Sequence, residues 1–199
     1  PGLKQNSGFF LDMSEGRYWA RLNCRNAKVL NLFAYTCAFS VAAVAGGAAQ
    51  VVNLDMSRGA LERGRENHRL NDQDLSRVRF LPYELFRSWG RLRKMGPFNR
   101  IIIDPPSFQR GSFVASKDYQ RVLRRLPELM DSEAQILLCL NDTAIGPEFL
   151  VELMKEHCPH AAYVKRLANP ETFPERFEAK SLKVLLFEYS KPPQESQDV

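Results

Sequence analysis

Two acids stand at the ends of short apolar runs, where a carboxylate could do chemistry. QVVNLD closes on Asp55 and NRIIID on Asp104, and behind Asp104 the chain reads DPPSF. Two prolines fix φ and donate no N–H, so Asp104 and the backbone carbonyls beside it form a stiff array of acceptors, with Phe108 near for stacking. Such an array can hold the amino group of a flat heterocycle. Asp55 lies 24 residues past Asn31, at the end of its apolar run. From that place an acid accepts hydrogen bonds from both hydroxyls of a ribose, although capping of the following helix is a second use for the same carboxylate. Glu84 after VRFLP, and Asn141 with Asp142 after AQILLCL, are two further polar tips.

These groups meet only if the runs are neighbouring strands. KVLNLFA (28–34), QVVNLD (50–55), VRFLP (78–82), NRIIID (99–104) and AQILLCL (134–140) are short and apolar. Between them lie segments of helical pattern: AFSVAAVAGGAA, SRGALERGRENHRL with Ser57 as its N-cap, ELFRSWGRLRK, and KDYQRVLRRLPELM, which Pro127 should end or kink. PEFLVELMKEH follows the fifth run. The alternation predicts an α/β protein with a mostly parallel sheet covered on both faces, because runs such as IIID and ILLCL are apolar throughout. AAYVKRL (161–167) and SLKVLLFEY (181–189) follow one another without a helix, so the last strand is expected to run antiparallel. Ligands of such sheets bind outside the carboxyl ends of the strands, where the winding reverses. The first of these loops, NLFAYTCAFS, has no glycine. A dinucleotide pyrophosphate is therefore disfavoured, and a nucleoside cofactor without phosphates fits better.

The 199 residues carry 28 Lys and Arg against 23 Asp and Glu, a net charge of +5, which suits an anionic partner such as RNA or serves solubility alone. Basic residues interleave with aromatics in RSWGRLRKMGPFNR and KDYQRVLRRL; the second follows the Asp104 tip and is the better candidate for RNA contact. The four cysteines form no metal-ligand spacing and read as reduced intracellular thiols, and no apolar run is long enough to span a membrane. A cytoplasmic protein without metal is expected, and a homodimer is compatible with the sequence. The opening PGLKQ lacks a Met, so a domain upstream of residue 1 is expected. His68, His157 and His160 read as solvated, and the loop ANPETFPERFEAK should overhang the active face.

Four motifs in order, GFFLD, NLFAYT, VNLDMS and DPPSF, resemble the class I S-adenosylmethionine-dependent methyltransferases. Within them the chain is most similar to bacterial 23S ribosomal RNA large-subunit methyltransferases of the cytosine-C5 and guanine-N7 type. The resemblance implies a Rossmann-like sheet of seven strands with a reversed last strand. It also implies three regions: residues 1–27 closing over the cofactor, a methyltransferase domain over 28–190, and a polar tail over 191–199. The cofactor would be S-adenosylmethionine, held by Asp12, Arg17, Asn31, Phe33, Ala34, Tyr35, Thr36, Cys37, Asp55, Met56, Ser57, Glu84 and Asp104. Catalysis would fall to Asp104, Pro105, Asn141 and Asp142, and substrate contact to Pro106, Ser107, Phe108, Tyr119 and Arg121.

Departures from the family pattern refine this expectation. Cys37 stands where relatives usually have glycine, and Ser14 where they have a basic residue. Cytosine-C5 chemistry needs a thiolate to add to ring C6, yet this chain reads LLCLNDTA at the fifth tip, with Asp142 at the nucleophile's place and Cys139 inside the strand. Transfer to a base nitrogen of ribosomal RNA is therefore expected. A catalytically idle RNA-binding or ribosome-assembly module, and a methyltransferase acting on protein or small molecules, are the alternatives.

Overall fold

Strands that are apolar at every position need cover on both faces, and here they have it. The computed structural model describes residues 8–106, 108–109, 113–172 and 181–193. Its strands are β1 (Lys28–Leu32), β2 (Gln50–Leu54), β3 (Val78–Leu81), β4 (Phe98–Ile103), β5 (Phe108–Gln109), β6 (Phe113–Val114), β7 (Met130–Leu140), β8 (Ala161–Arg166) and β9 (Lys183–Ser190). Seven of them form one sheet in the order β3-β2-β1-β4-β7-β9-β8, while β5 and β6 make a small separate hairpin that the sequence pattern did not suggest. Strands β1 to β4 and β7 pair in parallel, and β9 is antiparallel to both β7 and β8.

The helices are α1 (Ser14–Asn23), α2 (Ala38–Ala45), α3 (Arg58–Leu70), α4 (Trp89–Met95), α5 (Ala115–Leu123) and α6 (Glu148–His157). Side-chain alternation divides each strand between two cores. Val29, Val51, Ile102 and Leu137 pack with Trp19 and Ala20 of α1 and Phe39 and Ala43 of α2. Leu30, Val52, Ile101, Ile103 and Ile136 pack with Leu92, Tyr119, Val122 and Leu150 from α4, α5 and α6. Ile101, Ile102 and Ile103 are all fully buried; at about 1.5–3 kcal/mol each, their burial fixes the strand that delivers Asp104.

Expected helix bounds change in two places. The segment 85–95 is a 3-10 turn (Leu85–Arg87) followed by α4, because the Glu84 carboxylate caps the N–H groups of Phe86 and Arg87 and starts a separate short turn. α5 stops at Leu123, and Pro127 sits in the next 3-10 turn, Leu126–Glu128, where an early helical position tolerates its missing N–H.

Register brings the polar tips level. Leu32 pairs with Leu54 on one side and with Ile103 on the other, so Phe33, Asp55 and Asp104 emerge side by side from the same edge. At about 4.8 Å per strand, the Asp55 and Asp104 backbones stand roughly 10 Å apart across β1. The winding reverses there, since β2 and β3 extend to one side of β1 and β4 and β7 to the other.

Two asparagines interrupt the apolar strands beneath this edge, and both are satisfied. Asn31 Nδ2 donates to Asn53 Oδ1 (2.9 Å), Asn53 Nδ2 donates to Ser40 Oγ (2.9 Å), and Ser40 Oγ meets His68 Nε2 (2.9 Å). His68 Nδ1 then meets Gln73 Oε1 at 2.6 Å, and Gln73 Nε2 donates to the Val41 carbonyl at 2.9 Å. Every bond points the same way if His68 is neutral with its proton on Nδ1. His68 is fully buried, contrary to the solvated role read from its place at a helix end. Burial lowers its pKa, while the bond to Gln73 opposes the shift.

Candidate active site

The loop after β1 is bent by three residues in the left-handed region, Phe33 (φ 59°), Tyr35 (φ 47°) and Cys37 (φ 62°). None is glycine, and a non-glycine residue held there stores backbone strain of the kind that collects at ligand sites. Asp55 is what holds the loop: its Oδ2 accepts from the Tyr35 N–H (2.9 Å) and its Oδ1 from the Ser57 N–H (2.7 Å). Burial raises the Asp55 pKa, and those two N–H groups counter the rise. Ser57 accepts from the Ala60 N–H at 3.2 Å and so caps α3 as expected. Thr36 Oγ1 donates to the Gly8 carbonyl at 2.5 Å, tying the N-terminal segment to this loop.

A cavity of about 470 Å³ opens along this edge. Its walls come from three sources: Phe9, Phe10, Asp12, Met13 and Arg17; then 33–36, Asp55 and Ser57; then Asp104, Pro105, Pro106 and Asn141. Asp55 and Asp104 thus face one space. Asp104 is half-buried and opens onto the cavity. Enough protein surrounds its carboxyl that burial, reinforced by Asp12 and opposed by Arg17, pushes its pKa up to about 7. Arg17 is held across the opening by the Phe10 carbonyl (2.6 Å) and by the face of Phe9, 4.0 Å from its guanidinium carbon to the ring centroid. Burial lowers the Arg17 pKa, against the pull of Asp12 and Asp104.

Several residues expected at the site lie elsewhere. Asn31 is buried in the polar chain beneath the edge, because its position on β1 points into the α1/α2 face. Cys37 is also fully buried: its side chain packs where Gly64 of α3 leaves room, and a Cβ on Gly64 would strike its Sγ. The glycine-like demand at this position is thus a left-handed backbone, which Cys37 adopts. Met56 and Glu84 line a smaller recess that shares Phe33 and Asp55 with the cavity, and both Glu84 oxygens already accept backbone N–H groups at 2.9 and 3.1 Å. Asp142 accepts from the Ala144 N–H (2.9 Å), its carbonyl accepts from buried Lys183, and it does not line the cavity. Tyr119 is fully buried, with its hydroxyl donating to the Cys139 carbonyl, so it supports the core and meets no substrate. Arg121 is exposed, paired with Asp118 at 2.7 Å and stacked on Phe86 at 3.7 Å. Ser107 lies outside the described residues, as do the side chain of Phe108 and positions 173–180 of the loop expected to overhang the site.

Phe39 and Leu182 line the cavity without having been assigned to it; nothing in their local sequence distinguishes them from core residues. Phe9 and Phe10 also line it; they belong to the GFFLD motif, from whose segment only Asp12 and Arg17 were assigned to the site.

A family model described as S-adenosylmethionine-dependent methyltransferase matches residues 1–188. The chain belongs to that family. It is similar to the ribosomal RNA large subunit methyltransferase I of Tolumonas auensis, 40% identical over 103 residues, which are 51% of this chain and 26% of that protein. The namesake from Serratia proteamaculans is 41% identical over the same shares. Among solved structures, one described as a methyltransferase complexed with SAH superposes with a TM-score of 0.86 at 26% identity, over 94% of this chain and 51% of that one. The SAM-dependent methyltransferase from Agrobacterium tumefaciens gives 0.77 at 22% identity, over 96% and 65%, and speaks to the fold alone. The curated matches cover about a quarter of those relatives' length, and the chain spans about half of the SAH-bound structure.

The cavity suits the family's cofactor on its own chemistry. It offers an acid with lone pairs to spare beside a bent apolar loop, aromatic and aliphatic walls, and a second acid at the far side. The fold is that of the class I enzymes, with β9 reversed as expected. No group of three potential metal ligands is present among the described residues, and no described helix is long and apolar enough to cross a membrane.

Proposed function

We propose that residues 28–190 form the catalytic domain of a cytoplasmic S-adenosylmethionine-dependent methyltransferase acting on a base of ribosomal RNA, at a nitrogen, with the N-terminal segment closing the cofactor site. The observation that carries this is the shared cavity of Asp55 and Asp104 at the switch point of the sheet. Asp55 would take the ribose hydroxyls with the lone pairs its backbone partners leave free. Phe33, Ala34, Tyr35 and Thr36 would line the methionine part, Met56 and Glu84 the adenine recess, and Asp12 and Arg17 the cover. When bound, the cofactor supplies an electrophilic methyl group on a sulfonium.

The chain's own residues then have to orient the acceptor and manage its proton. Asp104 and the carbonyls around Pro105 present acceptors without competing donors, and Asn141 lines the same cavity. An exocyclic amino group donating both its N–H bonds to them turns its lone pair out of the base plane toward the cofactor, and alignment of this kind can supply several kcal/mol of the barrier. A carboxyl with its pKa near 7 can also accept the proton released on methylation. Nitrogen is favoured over cytosine C5 because C5 chemistry needs a thiolate. All four cysteines are buried, none lines the cavity, and burial pushes the Cys139 thiol well above its ordinary pKa. The names of the similar curated proteins support ribosomal RNA as the substrate.

The test is calorimetric binding of S-adenosylhomocysteine, followed by transfer of labelled methyl to protein-free 23S RNA and nucleoside mass spectrometry of the product. Label on a base nitrogen, removed by RNase, is expected; label at cytosine C5, or label that survives RNase, overturns the assignment.

A further inference from the structure

Two segments that are separate in the sequence account for all of the chain's excess charge. Residues 84–95 and 115–128 hold eight Lys and Arg against three Asp and Glu, a difference of +5, which equals the net charge of the whole protein. The remainder is balanced. The fold lays these segments side by side, since α4 and α5 cover the same face of the sheet.

Their contact is built from arginines on aromatic rings. Arg121 of α5 stacks on Phe86 at 3.7 Å and Arg125 lies over Trp89 at 5.0 Å; beside this contact, within its own segment, Arg91 of α4 covers Tyr83 at 3.7 Å. Arg91 forms no ion pair among the described residues, and a guanidinium held flat on a ring with its N–H edge outward has the geometry that grips phosphate oxygens. The acids of the segments are used locally. Glu84 caps backbone N–H groups, Asp118 holds Arg121 (2.7 Å), and Glu128 bridges Arg125 (2.6 Å) and Arg93 (3.4 Å) across the two segments. Arg87, Arg91, Lys94, Lys117 and Arg124 are all exposed, and none forms an ion pair with a carboxylate among the described residues. Tyr83 and Phe86 also line the recess that shares Asp55 and Phe33 with the cavity, so the basic surface begins at the edge of the proposed cofactor site.

We infer that this α4–α5 surface is the track for the phosphate backbone of the substrate RNA, leading to the cavity. The inference rests on the RNA-methyltransferase reading above and extends it to where the RNA lies. Phosphate contacts of this kind position a nucleic acid without reading its sequence, and each makes binding salt-dependent.

The experiment uses the whole chain and protein-free 23S RNA. In the variant Arg87→Gln, Arg91→Gln, Lys94→Gln, Arg124→Gln, RNA affinity at moderate salt should fall at least tenfold. The slope of log affinity against log salt should shrink by about 3, at roughly 0.7–0.9 per phosphate contact removed. S-adenosylhomocysteine affinity should stay within twofold, which also reports that the variant folds; the double variant Lys94→Gln, Arg124→Gln serves if it does not, with a slope loss of about 1.5. Neutralising Arg21, Arg25 and Arg69, outside these segments, should leave RNA binding unchanged. An unaltered salt slope, or an equal loss from the control, overturns the surface while leaving the methyltransferase reading intact. Wild-type chain that binds S-adenosylhomocysteine but no RNA overturns both, and points the basic surface toward an acidic protein instead.

Discussion

Asp55 and Asp104 are the same residue type at the same level of one sheet, two strands apart, yet their surroundings treat them oppositely. Asp55 is clamped: each oxygen accepts a backbone N–H, and in return it holds a bent loop in place. Asp104 sits between two stiff prolines and a neighbouring acid, Asp12, with burial and that acid driving its pKa up to about 7. One carboxylate is tied to the backbone of a bent loop; the other has no such clamp among the described residues and a raised pKa, which on the proposed reading suits it to proton chemistry. The division of labour follows from what packs around each strand end, and it is open to experiment.

Replacing Asp104 with Asn should give the largest effect, a loss in turnover on the order of 10²–10³-fold, typical of removing a positioned acid-base group. S-adenosylhomocysteine affinity should change less than threefold by calorimetry. Equal losses in both would erase the distinction between the two acids. In the wild type, kcat/KM should rise as pH climbs through about 7, where Asp104 ionises, and the Asn variant should lack that limb. The stability sign is fixed by the same shift. A carboxyl whose folded-state pKa is raised stabilises the fold most below its unfolded pKa, and that contribution is lost as pH rises from about 4 through 7. The Asn variant should flatten that decline.

Asp55→Ala should act on binding instead. Two hydrogen bonds to a charged group are worth roughly 1.5–3 kcal/mol each, so S-adenosylhomocysteine affinity should fall by roughly 10²–10⁴-fold. Retention of tight binding would remove Asp55 from the cofactor site.

Beneath the Asp55 side runs the chain of five side chains from Asn31 to Gln73. His68→Ala should destabilise the protein by about 1–3 kcal/mol in urea titrations, because Ser40 and Gln73 lose buried partners. His68 has a lowered pKa in the folded state, so its contribution is complete above about pH 6.5 and declines as pH falls below it, where the unfolded chain takes up the proton. The variant should lose this acid sensitivity. The smallest effect is expected at the other tip, where Cys139→Ala should leave turnover within twofold. A large loss would restore a thiolate mechanism.

The alternating runs, the reversed last strand and the tips carrying Asp55 and Asp104 were legible because they depend on local pattern and on residue types suited to strand ends. Asn31 and Cys37 were misplaced because each lies within two residues of cavity-lining positions while its own side chain turns into the core, and Tyr119 because its helix follows the Asp104 tip while its hydroxyl bonds the Cys139 carbonyl inside the core. His68 looked solvated because a helix terminus is usually exposed; its long-range partner Ser40, together with Gln73 five residues on, reveals the network. The hairpin of β5 and β6 is too short to leave a pattern.

From the sequence alone came the order of the strands along the chain, their burial on both faces, and the acids at their ends, because hydrophobic period and breaker residues act over a few positions. Tertiary structure decided the rest: which tips share a cavity, which acid has its pKa pushed up by burial and by a neighbouring carboxylate, and how two distant basic segments become one surface. Those outcomes depend on register and on charges brought within a few ångströms by packing, and neither is written in any single stretch of residues.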